Sequence, residues 1–142
     1  MGKLSLDDIL ITPLARISTN GGDVQHVMKK NDCGYESFGE AYFSWVNIGS
    51  VKGWKRHTQM LMNVVVPVGM VRFVFYLEAE NAFRTVVIGV ENYARLTVPP
   101  GIWFGFQCLS ESHSLILNIA SIPHDPNEVE RMDLSEIDFD WS

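Results

Sequence analysis

Long hydrophobic runs are absent from this 142-residue sequence. The most apolar stretch, Val64-Val65-Val66-Pro67-Val68-Gly69, is short and broken by proline and glycine. A bilayer-spanning helix needs about 20 apolar residues, so membrane insertion is not expected. The opening residues, Met1-Gly2-Lys3-Leu4-Ser5-Leu6-Asp7-Asp8, lack the apolar core of an export signal, which leads to the expectation of a cytoplasmic protein. Cysteine is scarce. Cys33 and Cys108 are far apart, and no Cys-x-x-Cys is present to suggest zinc, so reduced thiols are expected. Positive charge is in deficit, with 11 Lys and Arg against 17 Asp and Glu, a net charge of -6. That excludes the broad basic surface of a general nucleic-acid binder. It leaves room for a small anion, because Lys52, Lys55 and Arg56 form a local basic cluster. Internal repeats and low-complexity segments are also absent.

What is present is a succession of short β-branched and aromatic runs punctuated by Gly, Pro, Asn and Asp. Strands are expected over 9–17, 40–47, 51–57, 60–66, 71–77, 85–90, 95–98, 102–107 and 115–120. Turns fall between them at Asn20-Gly21-Gly22-Asp23, Asn47-Ile48-Gly49, Pro67-Val68-Gly69 and Pro99-Pro100-Gly101. Many short strands at this spacing indicate a sandwich or barrel. The length is that of one domain, 1–142. One segment carries helix signals: Asp125-Pro126-Asn127-Glu128 offers an N-cap, a proline at the first helical position and a glutamate at the third. A short helix through Met132 is expected. After it comes an acidic tail ending in Asp138-Phe139-Asp140-Trp141, whose aromatics suggest docking on the body.

Alternate residues of a strand share a face. On 51–57, Lys55 and His57 therefore point one way with Val51 and Gly53, and Lys52, Trp54 and Arg56 the other. Either Lys55 with His57 or Trp54 with Arg56 enters the interior. A buried Lys beside a His is unfavourable without a partner or polar ligand, so the first arrangement implies a ligand cavity. Glu40, Tyr42 and Ser44 form a polar stripe that lines a cavity or faces solvent. Arg72 and Tyr76 share a face and act together or not at all. Trp54 and Trp103 either stack on a ligand ring or pack in the core. Arg72 and Arg95 hold pyrophosphate or are solvated. His26, His113 and His124 have no partner suggested by spacing.

The order of several segments resembles the dTDP-4-dehydrorhamnose 3,5-epimerase family and, more loosely, the sugar 3,4-ketoisomerases, both jelly-roll cupins. Ile11-Thr12-Pro13-Leu14 is similar to the family's opening strand, and Phe38-Gly39-Glu40-Ala41-Tyr42-Phe43-Ser44 to its Phe-x-Gln-x-Asn-x-Ser strand. Val51-Lys52-Gly53-Trp54 resembles Val-x-Arg-Gly-Leu-His with Lys for Arg. Residues 91–101, Glu91-Asn92 through Leu96-Thr97-Val98-Pro99-Pro100-Gly101, resemble Glu-Asn-x-x-x-Leu-x-Ile-Pro-x-Gly, followed at the family spacing by Gly105-Phe106. Pro126 and Ile137-Asp138-Phe139-Asp140-Trp141 resemble the family's C-terminal segment. The resemblance implies an all-β, jelly-roll (cupin-like) double-stranded β-helix, here with a short C-terminal helix. It also implies a homodimer and a nucleotide-linked keto-sugar as the small-molecule partner.

The departures lie at catalytic positions. The epimerases' catalytic His falls at Lys55, and His57 falls where the ketoisomerases have a second His. Phe104 takes the place of the His in Pro-x-Gly-x-x-His-Gly-Phe, Asn118 lies near the position of the catalytic Tyr, and Gly21-Gly22 replaces the nucleotide-holding Arg-Gly. The resemblance implies epimerisation or ketone isomerisation by proton transfer on a dTDP-linked or other NDP-linked 4-keto-6-deoxy sugar, supplying surface polysaccharide biosynthesis. A catalytically silent nucleotide-sugar-binding homologue is the alternative, and a purely structural partner a third. Proton transfer beside a ketone needs a base near neutrality, an acid on the opposite face and a donor for the enolate oxygen. His57 suits the base, with Asp133 or Glu136 orienting it. Lys55 serves as enolate donor, phosphate ligand or base. Tyr42, Tyr76 and Tyr93 are acid candidates. Lys52, Glu40, Tyr42, Arg72, Tyr76, Trp103 and Asn118 are the expected substrate-binding residues. No metal or other cofactor is expected, because a metallocupin needs His-x-His, a carboxylate and a distant His. Only His57 of that set remains.

Overall fold

The computed structural model describes residues 2–142. The strands are β1 (Leu10–Pro13), β2 (Arg16–Ile17), β3 (Val24–Gln25), β4 (Glu40–Val46), β5 (Val51–His57), β6 (Met62–Val68), β7 (Met70–Leu77), β8 (Ala82–Gly89), β9 (Ala94–Val98), β10 (Trp103–Cys108), β11 (Ser114–Ala120) and β12 (Val129–Arg131). Two antiparallel five-stranded sheets, ordered β1-β9-β6-β11-β4 and β12-β5-β10-β7-β8, face each other as a cupin-like jelly roll. A small β2-β3 ribbon lies apart.

Side-chain alternation builds the interior. Met62, Val64 and Val66 of β6 meet Val71, Phe73, Phe75 and Leu77 of β7, with Leu96, Val98, Phe104 and Ile116 completing one apolar cluster. The intervening residues of the second sheet point outward, and the tail covers them. Trp54, Val74, Trp103 and Ile137 form a second cluster with Tyr76, Met132, Phe139 and Trp141. Trp54 is anchored there by its Nε1–H donating to the Leu134 carbonyl at 3.2 Å and by its ring 5.5 Å from that of Trp141. On the first sheet, the outward Asn63, Arg95 and Thr97 are buried beneath the 27–35 segment. Arg95 donates to the carbonyls of Val27 and Cys33, and Asn63 to that of Gly34.

The expected C-terminal helix does not form. Among the described residues the only helical turns are 3-10, at Leu6–Asp8, Glu78–Glu80 and Leu134–Glu136. Residues 125–128 instead make a turn, with Asp125 accepting from the backbone of Asn127 and Glu128. The chain then pairs with the free edge of β5, Val129 opposite His57 and Arg131 opposite Lys55. A segment this short gains little as an isolated helix, whereas the sheet edge satisfies its backbone directly. The capping pattern recurs at Asp133–Glu136, and there it starts a single 3-10 turn. The strand expected over 9–17 is split into β1 and β2, and β3 and β12 carry no clear signal in the sequence.

Candidate active site

Between the sheets lies an open cavity of about 520 Å³, within the usual range for small-molecule sites. Its floor is apolar, made by Met62, Val64, Phe73, Phe75, Val98, Phe104 and Ile116. Polar groups enter from four strands: β5 supplies Lys52, Lys55 and His57, the β4–β11 pair supplies Tyr42, Ser44 and Asn118, and β12 supplies Arg131. The turn after β12 brings Asp133, Leu134 and Glu136 to the rim.

His57 is buried, and its Nδ1 lies 2.5 Å from Oε1 of Glu128, itself 1% exposed. The other Glu128 oxygen accepts from the backbone N–H groups of Gln59 and Met60, each at 3.2 Å. Thr58 clasps the Glu128 carbonyl through both its N–H and its hydroxyl. At the end of β5, Gly101 at φ +96° donates its N–H to the His57 carbonyl at 2.7 Å. Burial opposes ionisation of Glu128, but the bonds from His57, Met60 and Gln59 outweigh it and hold the carboxyl below its usual range. A carboxylate at Nδ1 places the ring proton there, leaving Nε2 as the basic atom available to the cavity. Phe104 stacks on the His57 ring with centroids 5.9 Å apart.

Lys55 is half-buried beside this pair. Burial first, then the charges of Arg131 and Lys52, push its pKa below the ordinary lysine value. No carboxylate pairs with it among the described residues. Lys52 shares the cavity although strict alternation sends it to the opposite face. The β5–β10 register slips, with Phe104 opposite Lys55 but Phe106 opposite Lys52. The extra residue returns Lys52 to the inner side. Its Nζ donates to the Trp45 carbonyl at 3.1 Å. Across the cavity, Asn118 donates from Nδ2 to the Tyr42 hydroxyl at 3.0 Å, while its buried Oδ1 has no protein partner.

Six of the expected site residues thus meet around one cavity: His57, Lys55, Asp133, Lys52, Tyr42 and Asn118. Asp133 does not orient His57, however, and neither does Glu136. They cap each other's turn at the rim, and Glu128 holds the imidazole. The other four lie elsewhere. Glu40 has the parity of Tyr42 but sits at the strand end, where it accepts from the His124 N–H at 2.6 Å. Arg72 and Tyr76 do share a face, and it is the outer one. Arg72 donates to Gln107 and the Trp141 carbonyl, and Tyr76 to Asn81. Trp103 is packed in the tail cluster beneath Arg56, whose guanidinium carbon lies 4.6 Å from the ring centroid. Glu128 and Arg131 were not anticipated from sequence. The only signal for Glu128 was its place in a capping pattern, which pointed to a helix. Among the described residues no group of three or more His, Cys, Asp or Glu side chains is arranged to hold a metal. No helix among the described residues is long and apolar enough to cross a membrane.

The chain is 34% identical to a dTDP sugar isomerase from Desulfovibrio desulfuricans G20, with 94% of this chain and 90% of that one covered at a TM-score of 0.88. It is 27% identical over 150 residues to a probable low-salt glycan biosynthesis epimerase of Haloferax volcanii, covering 97% of this chain and 96% of the relative. A sugar 3,4-ketoisomerase from Thermoanaerobacterium thermosaccharolyticum, solved in complex with TDP, shares the fold at a TM-score of 0.77 and 15% identity, covering 94% of this chain and 96% of that one. No protein-family model matches the chain.

Proposed function

The chain belongs to the dTDP-sugar isomerase family, and on that premise we propose that it is a nucleotide-sugar epimerase or ketoisomerase. It moves a proton next to the keto group of a dTDP-linked, or other NDP-linked, 4-keto-6-deoxy sugar. The observation that carries this reading is the buried His57–Glu128 pair in the cavity wall. A binding module has no need of an imidazole oriented by a desolvated carboxylate. A general base does, because the carboxylate sets the tautomer and stabilises the imidazolium once the proton is taken.

The remaining groups take complementary roles. Tyr42 accepts from Asn118, which leaves its own O–H free to donate to substrate as the acid. The unpartnered Asn118 Oδ1 accepts from a sugar hydroxyl, since a buried carbonyl without a partner is unfavourable. Lys52 and Arg131 meet the diphosphate, and the apolar floor accepts the deoxy carbon. The protein works in the cytoplasm and feeds surface polysaccharide synthesis. It acts as a homodimer, a reading supported by the exposed Phe38, Phe43, Trp45 and Ile48 on and beside the edge strand β4.

Proton NMR in deuterated buffer, with a panel of nucleotide-linked 4-keto sugars, tests the reaction. The expected result is solvent deuterium at carbon 3 or 5, lost in His57→Asn. Ligand-dependent line broadening without exchange for any sugar would instead assign a silent binding protein.

A further inference from the structure

We propose that Lys55 is a covalent catalyst that forms an imine with the substrate's ketone, so that His57 removes its proton from an iminium rather than from a free ketone. The inference rests on the keto-sugar reading of this cavity and specifies how the carbonyl is activated.

Three features of the cavity point to an amine nucleophile rather than a fixed positive charge. The first is the cross-strand setting. Lys55 lies between Phe104 on β10 and Arg131 on β12, an apolar ring on one side and a cation on the other. Directly opposed strand residues sit about 5 Å apart, so the Phe104 ring excludes water from one side of the amine and the Arg131 charge opposes an ammonium from the other. The second is the missing counter-ion: no carboxylate pairs with Lys55 among the described residues. The third is division of labour. Lys52 is exposed and Arg131 is exposed, and both line the cavity, so diphosphate has two cations without recruiting the half-buried Lys55. Burial and those two charges also hold the Lys55 amine below the usual lysine range, which raises the fraction present as the free base.

The chemistry balances without a further reagent. The neutral amine attacks the carbonyl carbon, and the carbonyl oxygen, taking one proton from the amine nitrogen and one from the Tyr42 hydroxyl, leaves as water to give the iminium. His57 lies two residues along on the same face, about 7 Å by backbone rise, and takes the proton from the carbon next to the iminium carbon. The C–H electron pair neutralises nitrogen as the enamine. Reprotonation of carbon restores the iminium, and water adds to release ketone and free Lys55, the remaining proton returning to Tyr42. The imine supplies the electron sink that an enolate-stabilising donor provides in an uncatalysed-carbonyl route.

The test is incubation of the whole protein with dTDP-4-keto-6-deoxyglucose and sodium cyanoborohydride at neutral pH, followed by intact mass and peptide mapping. Deuterium exchange is followed in parallel without reductant. The expected result is one nucleotide-sugar adduct per chain, on Lys55, absent in Lys55→Arg, with exchange in that variant slowed on the order of 100-fold or more. Lys55→Arg keeps a long basic side chain that cannot form the imine, and an unchanged binding of dTDP by it reports an intact fold. Exchange in the wild type without any adduct, or with full exchange retained in Lys55→Arg, would overturn the imine and leave the epimerase reading standing. An adduct on Lys52 would overturn the assignment to Lys55. Neither exchange nor adduct would remove both readings.

Discussion

Two acid–base pairs sit side by side where the chain enters β12 along β5, and they could hardly differ more. Arg56 and Glu130 face outward, their side chains 25% and 48% exposed, and meet at 2.9 Å. His57 and Glu128 face inward, 7% and 1% exposed, and meet at 2.5 Å. Sequence places the members of each pair 74 and 71 residues apart; the β5–β12 register sets Glu130 opposite Arg56, and the turn just before β12 delivers Glu128 to His57. The outer pair is solvated, and such pairs contribute little. The inner pair has lost its water, so each partner depends on the other. One step along β5, from Arg56 to His57, separates a solvated ion pair from a buried one in the cavity wall, and the turn before β12 supplies the buried partner.

The most disruptive way to break that contrast is at Glu128. Replacement by Ala strands His57 and the N–H groups of Gln59 and Met60, and is expected to lower stability by about 3–5 kcal/mol, read from urea unfolding. Glu128→Gln preserves shape but not charge, and is expected to reduce deuterium exchange by roughly 10²–10⁴-fold with dTDP affinity retained. Retained exchange in Glu128→Gln would show that the inner pair is structural only.

Acidity sharpens the comparison. The folded-state pKa of Glu128 lies below its ordinary 4.5, so between the two values the unfolded chain binds more protons. The stabilisation is therefore complete above about 4.5 and fades as pH falls through the folded value. Denaturant titrations between neutral and acidic pH should show this loss in the wild type and a shallower profile in Glu128→Gln. Lys55 behaves oppositely in origin. It is a base with a lowered pKa, so stability rises with pH between its folded value and 10.5.

A smaller effect is expected at the mouth. Lys52→Ala and Arg131→Ala should each weaken dTDP binding about tenfold, near 1.4 kcal/mol. The loss should shrink in high salt because the groups are exposed. Calorimetry at two salt concentrations checks it. The smallest effect belongs to the outer pair. Glu130→Gln should leave the urea midpoint unchanged, and Arg56→Ala should shift stability by about 0.5–1 kcal/mol, from loss of its stack on Trp103. Neither should alter exchange.

Much of the second sheet was legible. The 51–57 segment forms the expected strand, Lys55 and His57 share the inner face, and Trp54 and Arg56 the outer. Parity also grouped Arg72 with Tyr76 correctly, but it could not say which side of the sheet was inner. The tail decided that by covering the outer face with Phe139 and Trp141. The placement of Lys52 failed for a different reason. A bulge resets alternation, and Gly53, inside the slipped stretch, was its one local signal. Glu128 was visible only as a helix-capping residue, because a local pattern was read without knowing that a strand edge lay ready to compete for the same backbone.

By itself the sequence determined the all-β class, the positions of the main strands and the two faces of 51–57, because hydrophobic alternation and turn chemistry act over a few neighbouring residues. Only the tertiary structure decided that Glu128 rather than Asp133 orients His57, that Arg131 and Lys52 join Lys55, and that Arg72, Tyr76 and Trp103 lie outside. Those outcomes depend on edge pairing, register and tail docking between segments as many as 80 residues apart. Such contacts are selected by the backbone and apolar surface they satisfy together, which no local pattern records.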